Sequence, residues 1–343
     1  NTTSPDNFTS RTSNTTKDLH GVVFGNDVFV TVGKDGKIFS SPNGTTWTAQ
    51  TSGTTKDFQG VAYGNNSFVA VGNDGKIFTS PDGTTWTAQT SGVTKRLNGV
   101  TYGNNKFVAV GNQGTVLTSP DGTTWTGQPG TTLTLHNISY LNNIFVVSGV
   151  NDANGLGIIL TSADGTTWAA PASNSAYGLW GTTFGNNTLV MVGDLGTILT
   201  SPDGVTWTAQ TSGVATMLMD VIYSNNLFVA VGVNGTILTS ADGITWIQQT
   251  SGSQDVLRGI SFSNDTLVAV GDSGTMLTSP AVTTATVSEV SIDKSGLENP
   301  SAYLYFESLI AFGGDLYLRD MYGVYRMNLE AVANETTGIL AKI

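Results

Sequence analysis

The chain has 343 residues, of which 11% are charged, fewer than half the roughly 25% found in an average soluble protein. It contains no cysteine, which excludes disulfides, zinc–thiolate sites and thiol catalysis, and its 39% of hydrophobic residues exclude general disorder. Fourteen basic and 25 acidic residues give a net charge of −11 without a cluster of Lys or Arg in the sequence. We therefore expect neither nucleic acid nor an anionic membrane as a partner.

No apolar stretch approaches the roughly 20 residues that cross a bilayer, so we expect no transmembrane segment. The chain begins at Asn1 without a charged-then-apolar leader, which indicates a processed secreted chain or a trimmed one. We expect an extracellular or cell-surface location.

A seven-residue motif recurs along the chain at an almost constant period. Its copies are variants of SPDGTTW at residues 41–47, 80–86, 119–125, 162–168, 201–207 and 240–246. Their tryptophans follow one another at intervals of 39, 39, 43, 39 and 39 residues, and a seventh copy at 279–285 has lost Asp, Gly and Trp. A period of this size predicts a repeat architecture.

Each repeat unit has the pattern of four short strands. In residues 97–130 these are LNGVTY, KFVAVG, TVLTS and TTWTGQ, separated by Gly, Asn and Asp turns, with no helical periodicity. The second and third strands are apolar on both faces, so neighbouring sheets must cover them. Four-stranded antiparallel sheets repeated in this way predict an all-β fold, a β-propeller with one blade per unit.

The number of blades depends on how the two ends of the chain are used. Seven regular units open at Leu19, Phe58, Leu97, Leu135, Leu179, Leu218 and Leu257. Residues 285–292 can serve as the outer strand of the seventh unit, and residues 307–328 repeat the rhythm of the first three strands. Residues 4–14 imitate the missing fourth strand. We therefore expect eight blades, the last one diverged and closed by the N-terminal strand.

Two other arrangements fit the same termini. In one, residues 4–14 complete the seventh unit, which leaves seven blades and a C-terminal appendage. In the other, the N-terminal strand is donated to a neighbouring molecule and builds a filament. The domain division that we expect is a closing or donated strand at 1–16, seven regular units at 17–292, and a diverged eighth blade or extension at 293–343.

The SPDGTTW motif resembles the Asp-box of the sialidase-like propellers, also grouped as BNR or YVTN-like repeats, although it is one residue shorter between Asp and Gly. The resemblance covers most of the chain and implies a turn between the third and fourth strands that stabilises the blade without doing chemistry. The Asp and Trp residues to which it assigns this structural role are Asp82, Trp86, Asp121, Trp125, Asp164, Trp168, Asp203, Trp207, Asp242 and Trp246.

Residues for catalysis are scarce. The sialidase reaction needs three clamping arginines, and none of the five arginines stands in the family's Arg-Ile-Pro context. All five glutamates lie beyond residue 288, and the only histidines, His20 and His136, lie outside any nucleophile motif. We expect no enzyme activity, no cofactor and no metal. A propeller glycoside hydrolase is the alternative, in which Asp residues of the channel loops form a carboxylate pair.

One position of the repeat varies while its surroundings stay nearly constant. We call it the variable position: the residue directly after the apolar residue that opens each unit. It holds His20, Gln59, Asn98, His136, Trp180, Met219 and Arg258. In a propeller this position lies at the start of the first strand, near the central channel, where loop residues Asp74, Asp152, Asp194 and Tyr177 are also expected. Neutral drift in exposed loops is the alternative explanation.

Amide side chains beside an exposed aromatic ring suit a sugar, whose apolar face stacks and whose hydroxyls need hydrogen-bond partners. The sequence thus favours a non-catalytic, secreted or surface propeller that binds a glycan or a protein, or copies of itself, through its loop face. The alternatives are a structural subunit assembled by strand donation and the glycoside hydrolase.

Overall fold

In the computed structural model, residues 8–128, 131–263 and 266–279 are described, together with the backbone of four strands between residues 308 and 342. The strands form seven antiparallel sheets that follow one another along the chain, and an eighth sheet near the C-terminus. We number the first seven sheets as blades.

The first strand of the chain, β1 (Thr9–Ser10), precedes blade 1. Blade 1 consists of β2 (Leu19–Gly25), β3 (Val28–Gly33), β4 (Ile38–Ser41) and β5 (Thr48–Gln50). Blade 2 consists of β6 (Phe58–Gly64), β7 (Ser67–Gly72), β8 (Ile77–Ser80) and β9 (Thr87–Gln89). Blade 3 consists of β10 (Leu97–Gly103), β11 (Lys106–Gly111), β12 (Val116–Ser119) and β13 (Thr126–Gly127). Blade 4 consists of β14 (Thr134–Leu141), β15 (Ile144–Val150) and β16 (Gly157–Ser162).

Blade 5 consists of β17 (Leu179–Gly185), β18 (Thr188–Gly193), β19 (Ile198–Ser201) and β20 (Thr208–Gln210). Blade 6 consists of β21 (Leu218–Ser224), β22 (Leu227–Gly232), β23 (Ile237–Ser240) and β24 (Ile247–Gln249). Blade 7 contains β25 (Leu257–Ser263), β26 (Thr266–Gly271) and β27 (Met276–Thr278), and the C-terminal sheet contains β28 (Ser308–Phe312), β29 (Asp315–Asp320), β30 (Gly323–Asn328) and β31 (Ala341–Lys342). Short 3-10 turns join the second and third strands at Lys34–Gly36, Asn73–Gly75, Asn112–Gly114, Asp194–Gly196, Val233–Gly235 and Asp272–Gly274.

The protein is a seven-bladed β-propeller, so the prediction of eight blades was wrong. The N-terminal strand does not close an eighth unit: Thr9 pairs with Thr278, and the backbone N–H of Arg11 donates to the carbonyl of Met276 at 2.8 Å. It therefore supplies the outer strand of blade 7, the first of the two alternative arrangements. The predicted use of residues 285–292 as that strand lies outside the described residues.

The C-terminal sheet has no need of a strand from the N-terminus. Its strands β28, β29 and β30 are the three that the sequence pattern indicated, and β31 adds the fourth from the same end of the chain. The physical reason for the wrong blade number is therefore that each open sheet finds its missing strand elsewhere: blade 7 in β1, and the C-terminal sheet in β31.

Blade 7 also contacts blade 1, which closes the ring. Gly259 in β25 lies against Gly21 in β2, close enough that a Cβ on Gly259 would be 3.2 Å from the Gly21 Cα. Val268 and Val270 of β26 share one hydrophobic cluster with Leu19 and Phe29 of blade 1. Burial on both faces of each sheet explains why the second strands are apolar throughout.

The SPDGTTW motif forms the turn after the third strand. In blade 2 the Asp82 carboxylate accepts the backbone N–H groups of Thr84 at 2.8 Å and Thr85 at 2.9 Å, and these bonds hold the pKa of Asp82 far below its usual range. The Trp86 indole donates to the carbonyl of Gly83 at 3.2 Å. The other Asp residues assigned to the motif accept equivalent bonds: Asp121, Asp164, Asp203 and Asp242.

Blade 4 departs from this pattern. Its fourth strand is reduced to a single bridge between Thr161 and Ala169, because Pro171 stands where other blades have a Gln that pairs with the third strand. Proline has no N–H to donate to a sheet. The Trp168 indole N–H is also buried without a hydrogen-bond partner, whereas the other five tryptophans of the motif donate to a glycine carbonyl: Trp47, Trp86, Trp125, Trp207 and Trp246.

Candidate functional site at the channel mouth

The first strands of the blades surround a central cavity of about 530 Å³. Its rim is formed where these strands begin, and we call this end of the cavity the channel mouth. Six residues proposed from the sequence line it: His20, Gln59, Asn98, His136, Trp180 and Arg258. Met219, the remaining residue of the variable position, lines the cavity as well. The structure therefore gathers the variable position into one cavity, and ligand binding there stays a prediction.

Four residues of the variable position are paired with a residue fourteen positions later, in the turn between the second and third strands of the same blade. Gln59 donates to Asn73 at 3.3 Å, and Asn98 donates to Asn112 at 2.8 Å. The Trp180 indole donates to Asp194 at 2.7 Å. Each pair has complementary hydrogen-bonding chemistry, which ties the side chain of the variable position to a turn of its own blade.

Arg258 and Asp272 form the fourth pair. The guanidinium binds the carboxylate through two hydrogen bonds, of which the Nη2–Oδ2 bond is 3.0 Å long. This bidentate geometry neutralises both charges at the rim. Asp272 is thus paired with Arg258 through both of its oxygens, and Asp194 accepts the Trp180 indole through Oδ1.

A second set of bonds links the variable position to the next blade. Nδ1 of His20 lies 2.7 Å from the carbonyl oxygen of Phe58, and Nδ1 of His136 lies 2.8 Å from that of Leu179. Asn98 makes the same link through its Nδ2, which donates to the carbonyl of Leu135 at 2.7 Å. These bonds orient the side chains and join neighbouring blades around the mouth.

Burial lowers the pKa of both histidines from their ordinary value, because desolvation penalises the imidazolium. For His20 the positive charges of Arg258 and Arg96 act in the same direction, whereas Asp18 and the hydrogen bond to Phe58 oppose the shift. For His136, Asp194 and Asp152 oppose it. Both rings are therefore neutral at pH 7.

His136 and Trp180 also stack. Their ring centroids are 3.8 Å apart and their planes are inclined by 8°. His136 belongs to blade 4 and Trp180 to blade 5, and both line the cavity. Each ring therefore covers one face of the other, which leaves only the outer faces of the pair for contact with a ligand.

Asp220 lines the cavity and was not singled out from the sequence. Its Oδ1 accepts the N–H of Val221 at 2.9 Å, and its Oδ2 accepts that of Ile260 in blade 7 at 3.0 Å. Enclosure by the first strands raises the pKa of Asp220 to about 7, against the two backbone hydrogen bonds, which favour the carboxylate. The channel side of this residue remains partly accessible.

A signal for Asp220 exists in the repeats. The residue after the variable position is Gly in five blades, because first strands approach closely there: a Cβ on Gly181 would lie 2.6 Å from the Asp220 Cα. Asn137 and Asp220 are the two exceptions. A carboxylate at a position that otherwise requires glycine marks the residue in the sequence alone.

Arg96 is a second lining residue outside the predicted set. It donates from Nη2 to the Gln59 side-chain oxygen at 2.6 Å, and burial lowers the pKa of its guanidinium while Asp57 opposes that shift. The repeats show it as variable, directly before the apolar residue that opens blade 3. Four of the predicted residues lie around the mouth without lining the cavity: Tyr177, Asp74, Asp152 and Asp194.

These four residues have separate environments. Asp74 forms an exposed ion pair with Lys56 at 2.6 Å, and Asp152 accepts a hydrogen bond from Thr134 at 2.7 Å. The Tyr177 side chain is 46% exposed, and Asp194 holds Trp180. Within the described part of the chain, no three His, Asp or Glu side chains come together as metal ligands, and no helix could span a bilayer.

The comparisons with known proteins bear on the fold. A family model described as DUF6242 beta propeller domain matches residues 6–142, about two fifths of the chain. The propeller fold is shared. A structure of YCF48 bound to D1 peptide has a TM-score of 0.66 at 20% identity, covering 79% of this chain and 94% of that one.

Two further structures lead to the same conclusion. YCF48 from Cyanidioschyzon merolae has a TM-score of 0.64 at 16% identity, covering 79% of this chain and 98% of that one. The WD40 beta propeller domain of Doa1 has a TM-score of 0.65 at 11% identity, covering 77% and 93%. No curated protein matches the chain. At these identities the likeness carries the fold alone.

Proposed function

We propose that this chain is a non-catalytic binding propeller, secreted or displayed at the cell surface, that holds a glycan or a protein segment at its channel mouth. One observation supports this function above others. The polar side chains of the mouth come from different blades, and each is held in place by a bond to a turn or to the next blade. A surface oriented in this way loses little conformational entropy when a ligand binds.

The carboxylates argue against hydrolysis. Among the described residues that line the cavity, Asp220 is the sole carboxylate, and the nearby Asp194 and Asp272 are bonded to Trp180 and Arg258. A glycosidase needs two carboxyl groups facing one bond. The pairing of β1 within its own ring likewise gives no support to a donated strand.

We also propose that the SPDGTTW turns are Asp-boxes of the sialidase-like type. The support is their chemistry: the Asp side chain accepts two N–H groups of the turn, and the Trp side chain packs behind it. The low charge and the richness in Thr and Asn support an extracellular location.

The experiment is a binding screen against immobilised neutral and charged oligosaccharides and unfolded peptides. The double variant Gln59→Leu/Asn98→Leu removes two anchored amides from the cavity wall and is expected to weaken retention at least tenfold. Val205→Ala, which changes an exposed side chain in the motif turn between the third and fourth strands of blade 5, is the matched control and should bind as the parent does. Retention by the double variant equal to that of the parent, with its melting temperature preserved, would contradict the proposal.

A further inference from the structure

The hydrogen-bond partners of the two histidines determine which nitrogen carries the proton. A carbonyl oxygen can only accept, so Nδ1 must donate in both His20 and His136. Because both rings are neutral at pH 7, Nε2 then has no proton. No described group bonds either Nε2, and neither atom is buried away from solvent. Each histidine therefore presents a bare acceptor to the cavity.

Asn98 presents a third acceptor. Its Nδ2 donates to Asn112 and to the carbonyl of Leu135, so both amide hydrogens are used. The carbonyl partner fixes the orientation of the amide, since the opposite orientation would place two oxygens against each other. The remaining oxygen, Oδ1, has lone pairs available, and the Asp220 carboxylate adds further acceptor capacity deeper in the channel.

The available donors are fewer and belong to the arginines. Arg258 uses two of its nitrogens on Asp272, and Arg96 uses one on Gln59, so each guanidinium keeps N–H groups that no described residue accepts. An anion would meet the bare acceptors and Asp220, and a cation would meet the guanidinium of Arg96, because Asp272 neutralises only that of Arg258. Neither charge complements the mouth. A hydroxyl group does, because it both donates and accepts.

The stack of His136 and Trp180 completes the surface. The inner faces of the two rings cover each other, so an outer face of the pair packs against the apolar C–H face of a sugar ring, while the sugar's hydroxyls reach the polar groups around it. The cavity of about 530 Å³ lies within the range of roughly 300–1,000 Å³ for small-molecule sites.

We infer that the ligand of the channel mouth is an uncharged saccharide, whose hydroxyls donate to Nε2 of His20, Nε2 of His136 and Oδ1 of Asn98 while one face of the sugar ring packs against an outer face of the His136–Trp180 pair. This inference rests on the proposed function and names the ligand class of the same site. Uronic acids, amino sugars, acidic peptides and basic peptides are the classes that it excludes.

The test compares matched probes by NMR on the full chain. Neutral di- and trisaccharides of glucose, galactose, mannose, fucose, rhamnose and N-acetylglucosamine are titrated beside their uronic-acid and amino-sugar forms, and acidic and basic peptides complete the set. The Trp180 indole signal and the two imidazoles report on the mouth. We expect at least one neutral saccharide to shift these signals, and its charged counterparts to bind at least tenfold more weakly.

His136→Phe keeps a ring for the stack and removes both the Nε2 acceptor and the Nδ1 donor to Leu179, so it should weaken binding of the neutral saccharide about tenfold, and its melting temperature is measured beside its affinity. His20→Phe tests the second acceptor in the same way, and Val205→Ala is the control. A charged probe that binds the mouth more tightly than every neutral one would overturn the inference and leave the proposed function standing. Failure of all saccharides and peptides to shift the mouth signals would overturn both.

Discussion

The imidazole of His136 lies flat against the indole of Trp180, with 3.8 Å between the ring centroids. The two residues occupy the same position of neighbouring repeats, and each is anchored by its own hydrogen bond, His136 to the carbonyl of Leu179 and Trp180 to Asp194. The contact thus links blade 4 to blade 5 and shields one face of the imidazole from water.

Replacing Trp180 with Ala should raise the pKa of His136. Burial is the main cause of the lowered value, and removing the indole admits water and frees the Asp194 carboxylate beside the ring. An NMR titration of the imidazole signals measures the shift. His20, across the mouth, is the internal control and should titrate as before; an unchanged His136 would show that the stack does not shield it.

Asp220 should make the protein less stable as the pH rises from about 4 to about 8. Its pKa is raised from 3.8 to about 7 in the folded state, so the native protein binds this proton more tightly than the unfolded chain does. The stabilisation that the Asp220 proton contributes is therefore fully present below pH 4 and is lost as the pH rises through 7. Channel water screens the group, so we expect a loss of roughly 1–2 kcal/mol rather than the full linkage value.

The two histidines oppose this trend as the pH rises toward and through 6.5, because their lowered pKa makes the native state gain stability there. The quantity to measure is consequently the difference in unfolding free energy between the parent and Asp220→Asn, by denaturant titration at pH 5 and pH 8. The unfolding free energy of Asp220→Asn should be higher relative to that of the parent at pH 8 than at pH 5. A difference independent of pH would rule out a titrating Asp220.

The turn at Asp82 should tolerate Asn and not Ala. Asn43 occupies the same place in blade 1 and accepts the N–H groups of Thr45 at 3.0 Å and Thr46 at 3.1 Å. Asp82→Ala leaves two turn donors without their partner and should cost about 1 kcal/mol, as lost caps do. Asp82→Asn should stay within about 0.5 kcal/mol of the parent at pH 7.

The same pair tests acid sensitivity. Because the pKa of Asp82 is lowered, its stabilisation is present above pH 4 and is lost as the pH falls below that value. The parent should lose more stability than Asp82→Asn between pH 5 and pH 3, as measured by thermal unfolding. Equal losses would contradict the carboxylate's role in the turn.

Replacing Trp125 with Phe should cost more stability than replacing Trp168 with Phe. Both are half-buried, yet the Trp125 indole donates to Gly122 at 2.8 Å whereas that of Trp168 has no partner. Trp125→Phe gives up a hydrogen bond and should cost about 1 kcal/mol more than Trp168→Phe, since the latter removes an unsatisfied donor. Chemical denaturation of both variants checks this, and an equal cost would contradict the assignment.

Much of the fold follows from the sequence because the repeat exposes it. The apolar residues that open the units, such as Leu19 and Phe58, do stand in the first strands of the blades. The number of blades could not be predicted from the sequence, since it depends on which sheet pairs with the N-terminal strand. Residues 4–14 resemble the fourth strand of any unit, and the competition between blade 7 and the C-terminal sheet is decided by long-range pairing.

Part of the candidate site could be predicted from the sequence. Comparing the repeats identified the variable position, and the structure brings its residues to one cavity. The comparison could not show that His20 and His136 bond the next blade through Nδ1, because tautomers depend on partners some 40 residues away. Asp220 stands at the neighbouring position, which is Gly in five of the seven blades and whose two exceptions carry the signal.

The most direct test of the central claim is the protonation pattern of the two imidazoles. Long-range ¹H–¹⁵N correlation spectra at pH 7.5, with and without a neutral saccharide that binds, measure it for both histidines at once. We expect a protonated Nδ1 and a bare Nε2 in each ring, with the Nε2 resonances moving on binding. Protons on Nε2 in the free protein would contradict it.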